Sequence, residues 1–127
     1  MSQRQNISGT SPYEPIIGFS RAVRVGSHVM VSGTGPVGCE DEDVSRQADQ
    51  CLTLIAAILK EAGTSFEHVV RTRVYLTSRD DWEAAARVHG KFFKLILPAA
   101  TMVIVAGLID PRWKIEIEVD ALIPDPA

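Results

Sequence analysis

Three acids recur at every second position in the stretch KIEIEVD, namely Glu116, Glu118 and Asp120. Side chains of an extended strand alternate between faces, so these acids share one face and Ile115, Ile117 and Val119 the other. Such a row is either a solvated sheet face or, where one member is drawn into a cleft, a general base that activates water. Glu116 is the candidate for the second role. A second strand-like run, from Glu67 to Thr77, puts Val70, Thr72, Val74 and Leu76 on one face and Arg71, Arg73, Tyr75 and Thr77 on the other. Its arginines have two readings. They pair with the acids, or Arg73 holds the carboxylate of a small ligand through paired hydrogen bonds. If Arg73 and Glu116 share a cleft, a ligand-binding Arg73 leaves Glu116 free to orient water. A tight mutual pair would instead weaken the glutamate as a base.

Other chemistries find less support. The three histidines do not cluster, and no His or Cys spacing suggests a metal. His89 falls on the apolar stripe of a helix, where a satisfied core residue is the commoner outcome. Gly33-Thr34-Gly35 lacks the continuation of a dinucleotide loop, and Ser32 lacks the G-x-S-x-G setting of a hydrolase elbow. A net charge of −3 without basic runs gives no footprint for nucleic acid. No apolar stretch is long enough to span a bilayer. Cys39 and Cys51 fit free thiols of a reducing cytoplasm better than a disulfide.

The elements that must position these residues follow from periodicity. The 127 residues, 46% hydrophobic and 23% charged, suit one globular domain over 1–127. The polar, turn-rich start is unlike a secretory signal, and residues 1–16 are expected to form a mobile arm, as a lid or as disordered chain. Ser20 to Val25 and His28 to Gly33 read as a hairpin joined by Gly26-Ser27. Val44 to Ala62 carries a helical apolar stripe closed by Gly63. Ser78 is a candidate cap for a second helix, whose inner face is Trp82, Ala85, His89, Phe92 and Phe93. Pro98 ends it, Ala99 to Ala106 forms a fourth strand, and Trp113 to Leu122 a fifth. The order is β-β-α-β-α-β-β, an α/β (α+β) domain whose two helices cover only one sheet face. The fourth strand is apolar on both sides and is expected beside the acidic fifth. Met102, Ile104 and Ala106 are expected on its uncovered face, which points to oligomerisation.

Taken in order, IGFSRAVRVG, HVMVSG, the helix ending LKEAG, HVVRTRVYL, the DDW…FF helix, the Pro-Ala-Ala-Thr strand entry and KIEIEVDA resemble the RidA/YjgF family, also described as L-PSP endoribonuclease-like proteins. The resemblance runs from about Ile17 to Leu122. It implies a chorismate-mutase-like fold assembled as a homotrimer, with sheets inward, helices outside and ligand clefts between subunits. It also implies hydrolysis of reactive enamines and imines to ketoacids and ammonia, with no metal or organic cofactor.

The departures from the family pattern bear on the site. Active deaminases enter the fourth strand as Pro-Ala-Arg-Ser, and that arginine grips the substrate carboxylate; here the position is Ala100. The family's tyrosine matches Phe19, and its helix asparagine falls on Ala86. Ser32 and Glu116 are retained, the latter where the family's carboxylate orients the attacking water. Losing a paired charged contact costs about 1.5–3 kcal/mol, so the same substrate would bind poorly unless another cation replaces it. Arg73 is the expected replacement. The expected site thus has Glu116 and Ser32 as catalytic residues, with Arg73, Phe19, Ala100, Met102 and His89 around a small carboxylate or imine ligand. The expected function is an enamine/imine deaminase of weak or altered standard activity. A non-catalytic small-molecule-binding trimer is the alternative. An endoribonuclease ranks last, since no basic stripe or set of stacking aromatics supports it.

Overall fold

The computed structural model describes residues 3–125. Its first strand, β1 (Arg4–Ile7), lies inside the segment expected as an arm and pairs antiparallel with β2 (Ala22–Val25). The polarity of Arg4, Gln5 and Asn6 suits an edge strand in water, while Ile7 alone turns into the core. A helical turn over Glu14–Gly18 leads back to β2. The hairpin from β2 to β3 (His28–Thr34) has Val25 opposite His28, with Gly26 at φ 61° in the turn. That left-handed conformation is one that glycine adopts without strain.

Helix α1 (Val44–Glu61) starts where the Asp43 side chain accepts the Arg46 N–H at 2.9 Å. It stops where Gly63, at φ 86°, turns the chain and Thr64 N–H donates to the Leu59 carbonyl. Leu52, Ile55 and Leu59 are buried against the sheet. β4 (Val69–Leu76) follows, and Ser78 caps a short turn at Arg79–Asp81 ahead of α2 (Trp82–Phe93). Of the expected inner face of α2, Ala85 and Phe93 are buried whereas Trp82 is 49% exposed. The last strands are β5 (Ala99–Ile104) and β6 (Ile115–Leu122). Both cysteines are free, Cys51 buried beneath the sheet and Cys39 partly accessible.

The six strands form one sheet in the order β1-β2-β3-β6-β4-β5. Neighbours are antiparallel except β4 and β5, which α2 joins as a crossover. The fold is the single mixed α+β domain expected, with one strand more. Three local expectations need correction. The acidic strand β6 is not a neighbour of the apolar β5, because β4 lies between them and pairs with both. A strand that follows a crossover can take the outer edge beside the strand it left. The second correction is in β4, where a register shift between Val69 and Arg71 brings Val69, not Val70, into the core. Third, Met102 and Ile104 stand beside Val74 and Leu76, on the helix side of the sheet. Thr101 and Val103 accompany Arg73 and Tyr75 on the open side. The uncovered face is therefore built from Val23, Met30, Val103 and the charged rows of β4 and β6.

Candidate functional site

On the open face, the antiparallel register sets Arg71 opposite Asp120, Arg73 opposite Glu118 and Tyr75 opposite Glu116. Arg73 Nη1 lies 3.3 Å from Asp120 Oδ2 and 3.6 Å from Glu118 Oε2. The Tyr75 hydroxyl donates to the Glu118 carboxylate, which raises the Tyr75 pKa because losing the phenolic proton would set two negative charges together. Glu118 and Asp120 are thus occupied by β4. Glu116 is not, and it reaches toward β3.

There the ladder slips. Val31 faces Val119 and Thr34 faces Ile117, so Ser32 and Gly33 together oppose a single residue of β6. The bulge brings the Gly33 backbone against Glu116, and a Cβ at Gly33 would overlap that carboxylate. The missing side chain at Gly33 leaves the room that this carboxylate occupies. The Ser32 hydroxyl donates to the Ser20 carbonyl at 2.6 Å, and Ser32 N–H donates to the Arg21 carbonyl at 2.9 Å. Ser32 therefore clamps the bulge to the segment that carries Phe19 and Arg21. With its proton engaged, the hydroxyl offers a ligand an acceptor.

Arg21 completes this cluster. Its Nη2 donates to the Gly33 carbonyl at 2.7 Å, and its guanidinium lies over the Phe19 ring, 5.2 Å from the centroid. Burial lowers its pKa, against the opposing influence of Glu14 and then Glu116. Glu14 is buried and accepts N–H groups of Gly9 and Ser11 at 2.9 and 3.1 Å. It lines, with Phe19, a concavity of about 440 Å³ between the helical turn and residues 8–11. Burial raises the pKa of Glu116, the nearby positive charge of Arg21 opposes that shift, and Glu118 adds to it. Half-buried carboxylates shifted in this direction suit general bases.

Ala100, Met102 and His89 lie elsewhere. With Val74, Ala86 and Thr101 they line a cavity of about 150 Å³ between α2 and the outer edge of the sheet. His89 Nε2 is 2.8 Å from the hydroxyl of buried Thr72, and the ring packs on Phe93 with centroids 4.6 Å apart. Burial lowers the His89 pKa. Among the described residues, no Asp, Glu, Lys or Arg side chain lines this cavity.

The structure therefore brings Glu116, Ser32 and Phe19 together and leaves Ala100, Met102 and His89 as a separate set within one chain. Arg73 sits between, engaged by Glu118 and Asp120 rather than by Glu116. Sequence reasoning missed Arg21, because a lone arginine at a strand entry has no partner at a telling spacing. The nearest signal was the Gly33-Thr34-Gly35 pair, where a bulge needs glycine. Among the described residues, no group of three or more His, Cys, Asp or Glu side chains could hold a metal, and no helix is long and apolar enough to cross a membrane.

Comparison with known proteins bears on this arrangement. Residues 9–123 match the family model described as Endoribonuclease L-PSP. A mouse 2-iminobutanoate/2-iminopropanoate deaminase is 33% identical over 127 residues, covering 94% of this chain and 91% of that protein. A RutC family protein of Pyrococcus abyssi is 33% identical over 100 residues, covering 75% of this chain and 79% of its own. Among solved structures, a Mycobacterium tuberculosis member of the YjgF/YER057c/UK114 family superposes with a TM-score of 0.90 at 39% identity, over 95% of this chain and 100% of that one. The match spans both halves of the sheet and the segment carrying Phe19, Arg21 and Ser32, and the chain belongs to the RidA/YjgF family.

Proposed function

We propose that this protein is a hydrolytic deaminase of a small enamine or imine. The observation that carries the proposal is the Glu116 carboxylate, half-buried against Gly33 with its pKa raised and left free by the charges of β4. Glu116 takes a proton from water as the water oxygen bonds to the imine carbon, the C=N π pair moves to nitrogen, and the nitrogen takes that proton back from Glu116. The resulting carbinolamine expels ammonia as the ketone forms. Ser32 and backbone groups of the bulge fix the ligand. The mouse relative named as an imine deaminase supports the same reaction class.

Assembly as a homotrimer through the open face belongs to this reading. Met30 is 42% and Val103 40% exposed there, and no helix covers them. Such an assembly would set the Glu116 cluster of each chain beside a neighbouring chain. Met30→Asp should reduce the mass seen by light scattering to that of a monomer, while a wild type that is itself monomeric removes the idea. A cytoplasmic location fits the two free thiols.

The uncharged lining of the Ala100 cavity favours a second reading, a non-catalytic binder of small molecules. Ammonia release separates the two. Glu116→Gln should slow release from freshly generated imines by at least about 100-fold while the protein remains folded. A wild type no faster than buffer on imines with and without a carboxylate would leave only the binding reading.

A further inference from the structure

Arg21 and Arg73 both reach the open side of the sheet, and their surroundings differ. Arg73 is balanced by Glu118 and Asp120. Arg21 closes no ion pair with any acid among the described residues. Its guanidinium, which has donors on three nitrogens, uses Nη2 on the Gly33 carbonyl, while Nε is buried with no partner. A cation that is partly desolvated and under-satisfied is costly to keep, and an anion placed against the accessible end of the fork offsets that cost. Phe19 fixes the plane of the fork from one side, and packing at Gly9, where a Cβ would strike the Arg21 side chain, holds its stem. Gly33, which the fork grips, touches Glu116. An anion on Arg21 would thus place the adjoining carbon of a small ligand beside the proposed base.

We propose that Arg21, held at the Phe19–Gly33 cluster, binds the carboxylate of a small ligand. The inference rests on the deaminase reading for the fate of the ligand, but its binding step is separable. The groups competing for the guanidinium are Glu14 from the helical turn and Glu116 from β6. Glu14 is already engaged by two backbone N–H groups, and Glu116 acts on the guanidinium more weakly than Glu14 does.

Pyruvate and its neutral counterpart pyruvamide are the probes, titrated by calorimetry into the full-length protein. Wild type should bind pyruvate more tightly. Arg21→Gln should weaken pyruvate by about tenfold or more and leave pyruvamide unchanged. Arg21→Lys should be intermediate, and Arg73→Gln should match wild type. In wild type, pyruvate but not pyruvamide should protect Arg21 from phenylglyoxal, read by peptide mass spectrometry, a measurement that needs no variant to fold. Equal binding of pyruvate by folded Arg21→Gln overturns the assignment. So does a wild type that does not prefer pyruvate, or that shows no protection at Arg21. Loss of both probes in a folded variant makes Arg21 structural. Absent turnover in a wild type that binds pyruvate through Arg21 counts against the deaminase reading alone.

Discussion

Glu116 and His89 lie on opposite faces of one sheet, and burial moves both toward the neutral form, raising the acid and lowering the base. They differ in what else surrounds them. Around Glu116 stand Arg21, whose charge opposes the shift, and Glu118, which reinforces it. Around His89 stand a threonine hydroxyl and a phenylalanine ring, and desolvation acts alone. The first region can stabilise a change of charge during a reaction; the second can only resist one. On the proposed reading, the base and the anion grip therefore belong to the bulge of β3.

The largest effect on this contrast should come from Thr72→Val. It keeps shape but strips His89 Nε2 of its buried partner, at a cost of about 1–3 kcal/mol read as a shift of the urea midpoint with unchanged slope. An unchanged midpoint would mean that water reaches the ring and that the two regions differ less than their surroundings suggest.

A smaller, signed effect is expected in stability against pH. His89 has a lowered folded pKa, so below its ordinary value of 6.5 the unfolded chain binds more protons, and stability should fall with pH until the lowered pKa is passed. Glu116 has a raised folded pKa, so its contribution runs the other way: stability should fall as pH rises from its ordinary value of 4.5 through the raised one. His89→Gln should flatten the first slope and Glu116→Gln the second, with Glu116→Gln more stable than wild type at neutral pH. Slopes left unchanged by either substitution would break the comparison.

The smallest effect is assigned to Arg73→Gln. Its side chain is 39% exposed and its partners 30% and 34%, so the network should contribute no more than about 1 kcal/mol, lost further in high salt. A loss well beyond that would show a buried assembly contact, which sharpens the case that the open face meets another subunit.

The sequence determined the helices, the hairpin, the alternation of β4 and β6, and the row of acids containing Glu116, because these depend on local periodicity, capping and turn chemistry. Strand adjacency was beyond it. That β4 separates β5 from β6, and that Met102 turns toward the helices, depends on where a crossover lays its strand and on register, which long-range packing sets. The Val69–Arg71 and Ser32–Gly33 shifts likewise exist only through pairing with β6. Arg21 shows the same limit at the site. Its type and position were visible, but its value as a cation depends on which acids come near it. Only the tertiary structure decided that Arg73 meets two of them and Arg21 none closely, since charge balance is set by distances between residues far apart in the chain.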